Sequence, residues 1–176
     1  MEMIDLYNPD GTPCGRTASR DEVHRLGLWH KTVHIWVLTP EGELLLQKRS
    51  PEKESHPGLW DISAAGHITA GDTSLHAAVR ELGEEIGMAA EETDLGFLFS
   101  LCQRCEDFTR PFIDREITDI YLLRRAVDPC RLAIDRHEVE AVRLIATGEF
   151  RQELSDHPER FTPHAEEYGK LLEIVG

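Results

Sequence analysis

The feature that most constrains the fold is a 23-residue segment, Gly66 to Met88, in which a glycine loop leads into an amphipathic helix. Apolar residues recur there at spacings of three and four, which predicts one buried helical face. These residues are Leu75, Ala78, Val79, Leu82 and Ile86. Thr73 or Ser74 is the predicted N-cap, and Gly87 is the predicted stop. The segment therefore predicts a helix that packs on a core and leaves its other side open.

Three carboxylates are expected on that open side. Glu84 and Glu85 follow Glu81 at spacings of three and four, so the three side chains are neighbours and repel one another. A hard divalent cation would convert this repulsion into binding, because Mg²⁺ takes oxygen ligands and is often shared with substrate phosphates. Arg80, four residues before Glu84, is placed to hold one of the carboxylates. The alternative is an ordinary solvated acidic face.

The segment resembles the Nudix box, whose pattern is Gly, five residues, Glu, seven residues and then Arg-Glu-apolar-x-Glu-Glu-x-Gly-apolar. The positions in register are Gly66, Arg80, Glu81, Leu82, Glu84, Glu85, Gly87 and Met88. Asp72 departs from the pattern, since the family usually has glutamate there. The resemblance implies an α+β chain with the Nudix α/β/α sandwich, a mixed β-sheet between helices. The length of 176 residues predicts a single domain, residues 1–176.

The resemblance also implies metal-assisted hydrolysis of a diphosphate linkage, with Mg²⁺ as cofactor and Mn²⁺ as a substitute. Glu84 and Glu85 are the expected metal ligands, Glu81 is a ligand or the base, and the backbone carbonyl of Gly66 is a further ligand. Arg80 is expected to orient the carboxylates, so the predicted catalytic residues are Glu81, Arg80 and Glu84.

Two basic residues end a strand that borders the cleft in this fold. Lys48 and Arg49 are predicted to contact substrate phosphate, and the alternative is a solvated strand end. The predicted substrate is a nucleoside diphosphate linked to another moiety.

The flanking sequence resembles one branch of the superfamily, type I isopentenyl-diphosphate isomerase. The similar segments are Asp5, Gly15-Arg16, residues 24–30, residues 44–50 and residues 57–60. These isomerases have a cysteine just before the head of the box, and Ala65 occupies its place. Alanine has no titratable group and cannot transfer a proton to or from carbon. An isomerase-like protein is therefore the alternative function, together with a non-catalytic Nudix sensor of a metabolite.

The same resemblance implies a second metal site. His24, His30 and His67 match histidine ligands of the isomerases, and Asp114 and Glu116 match two carboxylates. The two acidic residues are two apart on a predicted strand, so they share a face. Imidazole and carboxylate together bind Zn²⁺ or Mn²⁺. The alternative is that these histidines line a cleft or cap a hairpin.

Charge and composition limit the partners. The formal net charge of −14 over 176 residues argues against broad binding of nucleic acid or of an anionic membrane. A small phosphorylated metabolite remains the expected partner, because a metal and local basic residues can override the global field. The first residues lack the character of a signal peptide, and no window resembles a membrane span, which predicts a cytoplasmic protein. A homodimer is the commonest closed assembly.

Strands are predicted at residues 3–7, 31–38, 43–48, 59–65, 95–102, 116–123, 132–134 and 139–145. Helices are predicted from Ser19 to Gly27 and from a Thr162-Pro163 cap to about Ile174. The pair Cys102 and Cys105 has the spacing of half a zinc site, but residues three apart on a strand face opposite ways. A structural role is expected for both cysteines.

Overall fold

One central strand, which is buried on both of its faces, divides the molecule into layers. The computed structural model describes residues 2–107 and 112–176, without the side chains of residues 105–107. The elements are β1 (Met3–Tyr7), β2 (Pro13–Ser19), α1 (Arg20–Leu26), β3 (His30–Leu38), β4 (Glu43–Arg49), β5 (Trp60–Asp61), β6 (Ala64–His67), α2 (Ser74–Ile86), β7 (Leu95–Asp107), β8 (Phe112–Arg124), β9 (Val139–Ala146), α3 (Thr147–Asp156) and α4 (Ala165–Val175).

The central strand β3 contacts strands of both directions. It pairs in parallel with β8, from His30 opposite Glu116 to Leu38 opposite Arg124. It pairs antiparallel with β1, β4 and β6. β7 lies beside β8, and β9 lies beside β4, both antiparallel. The sheet is therefore mixed.

Alternate residues of β3 face opposite helical layers, as the period of a strand requires. Val33, Ile35 and Val37 join a core cluster with the apolar face of α2. Trp36 and Leu38 join a second cluster on the other side, with residues of α3 and α4. The predicted α/β/α sandwich with a mixed sheet is confirmed, and the side chains of β3 explain why both faces of the sheet are covered.

Most of the predicted elements are present, but two predictions were wrong. Residues 132–134 form no strand; Leu132 and Ile134 are apolar because they pack on the α2 core from a loop. Thr162 does not cap α4, because its hydroxyl donates to Asp61 and His164 is the N-cap residue. Cys102 is exposed, and the side chain of Cys105 lies outside the described residues.

Two elements were missed because their sequences lack a clear apolar period. β2 pairs only with β1 and buries only Ala18 along its length. α3 has Phe150 as its one buried residue. Among the described residues, no helix is both long enough and apolar enough to span a membrane.

Candidate metal and phosphate site

The box helix α2 is fixed at both ends by local chemistry. The Thr73 side chain accepts a hydrogen bond from the backbone N–H of His76 at 3.1 Å. Gly87 adopts a left-handed conformation with φ 67°, and its N–H bonds to the Gly83 and Leu82 carbonyls. These are the predicted cap and stop, and they set where the carboxylates of the last two turns lie.

The three box carboxylates do not share one open surface, so the prediction of an open acidic side was wrong in part. Glu84 is exposed, but Glu81 and Glu85 are only 8% and 4% exposed. β6 packs beside α2 and covers them. The Gln47 side-chain amide and the Ala65 backbone N–H both donate to Oε2 of Glu85, at 2.8 and 3.0 Å. That pair of bonds leaves Oε1 of Glu85 available as a ligand.

The glycine at the head of the box is required by a close approach. A Cβ on Gly66 would lie 2.1 Å from the Glu81 carboxyl carbon, which is far inside van der Waals contact. Only a residue without a side chain lets Glu81 occupy this position. The spacing of Gly66 and Glu81 in the sequence therefore reflects the close packing of these two residues in the structure.

Burial makes the inner carboxylates difficult to ionise without a cation. It raises the pKa of Glu81 to about 8, against the opposing effect of the Arg80 guanidinium. It raises the pKa of Glu85 to about 7, against the opposing charge of Lys53. A divalent cation would supply the positive charge that these buried oxygens lack, so the chemistry of the donor set fits Mg²⁺.

Arg80 joins the acidic helix to the strand that carries a predicted histidine ligand. Its guanidinium contacts Glu81 at 2.8 Å and Glu84 at 3.0 Å, and it donates to the backbone carbonyl of His67 at 2.9 Å. Asp72 makes no such contact; it bonds to the ring of His76 and to the Thr73 N–H instead. Asp72, where the sequence departs from the pattern, therefore bonds locally at the start of α2.

Three histidines from separate elements meet beside the box. His24 on α1, His30 on β3 and His67 on β6 place ligand atoms within 4.8 Å of one another. The Nε2 atoms of His24 and His67 lie 3.3 Å apart. His30 forms a second group of the same tightness with Asp114 and Glu116, both 3.6 Å from its Nε2 atom. The structure thus brings together all five residues of the predicted second site.

The hydrogen bonds of two rings direct their Nε2 atoms toward this centre. Nδ1 of His24 lies 2.8 Å from the Arg20 carbonyl, and Nδ1 of His30 lies 3.0 Å from the Leu28 carbonyl. A carbonyl only accepts, so each Nδ1 carries the proton, as in metal-ligating histidines. Nε2 of His30 and Oδ1 of Asp114 are buried and have no hydrogen-bond partner among the described residues. Buried polar atoms without hydrogen-bond partners fit the role of ligands to a cation.

The electrostatics of the cluster agree with neutral histidine ligands at two positions. Burial lowers the pKa of His24 and lowers that of His67 well below its usual value. Burial and the Glu116 charge raise the pKa of Asp114 to about 8. Burial favours the neutral form of Glu116 too, but the nearby imidazole of His30 outweighs this and lowers the pKa of Glu116.

Only one of the two residues that were predicted to bind phosphate lines the cavity. Arg49 lines the central cavity, where it bonds to Asp61 at 2.9 Å. Lys48 does not line that cavity; its ammonium lies 3.0 Å from Glu140. Sequence reasoning missed Lys53, which lines the cavity 3.9 Å from Glu85 and also pairs with Glu138. Lys53 lies in a loop whose course no local pattern predicts.

One open cavity of about 1180 Å³ is lined by most of these groups, but not by His30 or Lys48. It joins the box carboxylates, the histidine cluster and the basic side chains of Arg49, Lys53 and Arg80. Residues 28–165 match the family model of the NUDIX domain.

The chain belongs to the Nudix family.

Relatives agree with both parts of the predicted resemblance. The chain is 39% identical over 180 residues to Nudix hydrolase 3 of Arabidopsis thaliana, covering 99% of this chain and 23% of that protein. The chain therefore spans under a quarter of that relative's length. It is 32% identical over 145 residues to an isopentenyl-diphosphate Delta-isomerase of Cereibacter sphaeroides, covering 81% of this chain and 77% of that protein. The resemblance to the isomerase branch is confirmed.

A solved structure from Deinococcus radiodurans shares the fold. It superposes with a TM-score of 0.71 at 20% identity, and the match covers 99% of each chain. At that identity the likeness concerns the fold alone.

Proposed function

We propose that this Nudix protein is a Mg²⁺-dependent hydrolase of diphosphate linkages in small phosphorylated metabolites. The observation that carries the proposal is the pair of buried box carboxylates, Glu81 and Glu85, facing a cavity that basic side chains also line. The bound cation would neutralise charge on the bridging phosphates and make a water more acidic. Family membership and the hydrolase relatives support the reaction type.

The proposed role of each residue follows from its contacts. Glu85 is the fixed ligand, because two donors hold one of its oxygens in place. Glu84 is a second ligand that Arg80 steadies, and the Gly66 carbonyl remains a proposed third. Glu81 is the proposed base for the attacking water. Arg49, Lys53 and Arg80 would bind the phosphates. Lys48 lies outside the cavity and would not contact the phosphates.

A metal-dependent substrate panel tests the proposal. Nucleoside diphosphate derivatives, sugar diphosphates and dinucleotides are incubated with Mg²⁺ or Mn²⁺, and release of the phosphate ester is measured. We expect turnover of at least one member that stops when the metal is chelated. Absence of turnover across the panel, with the protein folded and metal-bound, would exclude the hydrolase.

We also propose that the cluster of His24, His30, His67, Asp114 and Glu116 binds a Zn²⁺ or Mn²⁺ ion. Replacing His67 with alanine should weaken the binding of this ion by at least about tenfold, because one nitrogen ligand is lost. The measurement is metal content after dialysis together with a competition titration against a chelator. His76→Ala is the matched control, since the His76 ring is exposed on α2 and bonds to Asp72 rather than to the cluster. Equal affinity in parent and His67→Ala would contradict the site.

The alternatives give different results in the same assays. Isomerase activity would exchange carbon-bound hydrogen of an isoprenoid diphosphate with deuterated water, and Ala65 predicts no exchange. A sensor would bind its ligand saturably without turnover. A cytoplasmic location and a homodimer stay predictions that fractionation and light scattering would test.

A further inference from the structure

Polar side chains from four parts of the chain form one wall of the cavity. The members of this polar wall are His34 on β3, Asp61 on β5, Gln103 on β7, and Thr162 and His164 just before α4. None of them belongs to the box or to the histidine cluster. They come together because the segment before α4 lies beside β5, where Phe161 bridges to Trp60.

Internal bonds hold the wall in place. Thr162 donates to Oδ1 of Asp61 at 2.8 Å, and Arg49 bonds to Oδ2 at 2.9 Å. Nδ1 of His34 lies 2.7 Å from the Glu167 carboxylate. Nδ1 of His164 lies 2.9 Å from the side-chain oxygen of Gln103. A wall fixed in this way presents a preformed surface to a ligand.

One group in the wall lacks a partner. Nε2 of Gln103 is buried without a hydrogen-bond partner among the described residues. With the oxygen of Gln103 turned to His164, the amide offers N–H donors; with the amide reversed, it offers the carbonyl instead. A hydroxyl group suits both arrangements, because it donates and accepts. An unpaired buried amide therefore favours a hydroxyl-bearing ligand over an apolar one.

The part of the cavity that the structure describes offers little surface for an apolar ligand. Among the described residues that line it, only Ala65, Phe112 and Pro163 have apolar side chains. Phe112 is stacked on His24 with ring centroids 4.8 Å apart, so that face is already covered. Sites for apolar groups are lined mainly by apolar and aromatic side chains. An isoprenoid chain placed against this wall would leave the side-chain amide of Gln103 without a hydrogen-bond partner.

We propose that the polar wall is the subsite for the organic part of the substrate, and that it takes a hydroxyl-bearing group such as a sugar or polyol. This assignment rests on the proposed diphosphate hydrolysis, because the phosphates must lie at the basic and acidic side chains of the same cavity. Gln103 and His164 are the specificity-determining residues.

Two five-carbon ligands with the same diphosphate end test the assignment. Methylene-bridged analogues of a pentose 5-diphosphate and of isopentenyl diphosphate cannot be hydrolysed, so their affinities are measured by calorimetry in Mg²⁺. We expect the parent protein to bind the pentose analogue about tenfold more tightly, the discrimination of roughly one well-formed hydrogen bond. Gln103→Leu should lose that preference and keep its affinity for the isopentenyl analogue. Gln152→Leu is the matched control, because Gln152 is exposed on α3.

Each result separates the subsite from the reaction. Equal or tighter binding of the isopentenyl analogue by the parent overturns the subsite, whether or not any diphosphate is hydrolysed. A pentose preference without turnover of the hydrolysable esters would exclude the hydrolase and keep the subsite. If Gln103→Leu does not fold, His164→Phe and the preference of the parent protein decide the question. An equal loss of affinity for both analogues in a folded Gln103→Leu protein would also overturn the subsite.

Discussion

Replacing Glu81 with glutamine should lower the turnover of any accepted diphosphate by about a thousandfold, within the usual range for loss of a general base. The amide cannot accept a proton from water and is a poor ligand for Mg²⁺. The buried carboxyl has a pKa raised by burial to about 8, so the metal-free protein already holds it largely neutral at pH 7. The measurement is the single-turnover rate at saturating Mg²⁺.

The raised pKa of Glu81 also predicts that the Glu81→Gln variant changes activity without a large change in stability. Glu81→Gln should unfold at nearly the temperature of the parent when both are free of metal, because the substitution replaces a carboxyl group that burial already keeps largely neutral. Glu149→Gln, on the exposed side of α3, is the matched control and should keep parental turnover. Parental turnover in a folded Glu81→Gln protein would show that Glu81 is neither base nor ligand.

Replacing Glu167 with alanine should lower the free energy of unfolding by about 3–5 kcal/mol, the usual effect of removing one partner of a buried ion pair. Glu167 is fully buried; it accepts from the Trp36 indole N–H at 2.8 Å and pairs with His34 at 2.7 Å. Its loss leaves a buried imidazole and a buried N–H unpaired. The measurement is urea unfolding. Glu166→Ala is the control, since its pairing with Lys170 is largely exposed and contributes only a few tenths of a kcal/mol.

This pair also predicts how stability changes with pH. Burial alone would lower the pKa of His34, but the Glu167 carboxylate raises it from 6.5 to about 9. The stabilisation is therefore fully present below pH 6.5 and is lost as the pH rises to about 9. The difference in unfolding free energy between parent and Glu167→Ala should shrink over that interval. A difference that stays constant or grows would contradict a protonated His34.

The box could be predicted because its information is local. The spacing of apolar residues, the Thr73 cap and the Gly87 stop all act within one helix, so the sequence alone places α2 and its three carboxylates. The resemblance to the isomerase branch added His24, His30, His67, Asp114 and Glu116, which no local pattern would group. Their separation along the chain carries no signal of contact until β3 and β8 lie side by side in parallel register.

The weaker predictions failed where burial depends on a distant partner. Glu81 and Glu85 were predicted to be exposed, but β6 covers them. Lys48 was predicted to bind phosphate, but its side chain points to Glu140. Lys53 and Gln103 line the cavity because of the course of the loop and of the strand that carry them, which no local sequence pattern predicts. The sequence by itself determined the fold family, the box helix and its acidic chemistry, because periodicity and capping are short-range. The tertiary structure decided which acids are buried, which basic side chains lie near them and which polar side chains line the cavity, because these depend on contacts between residues far apart in the chain.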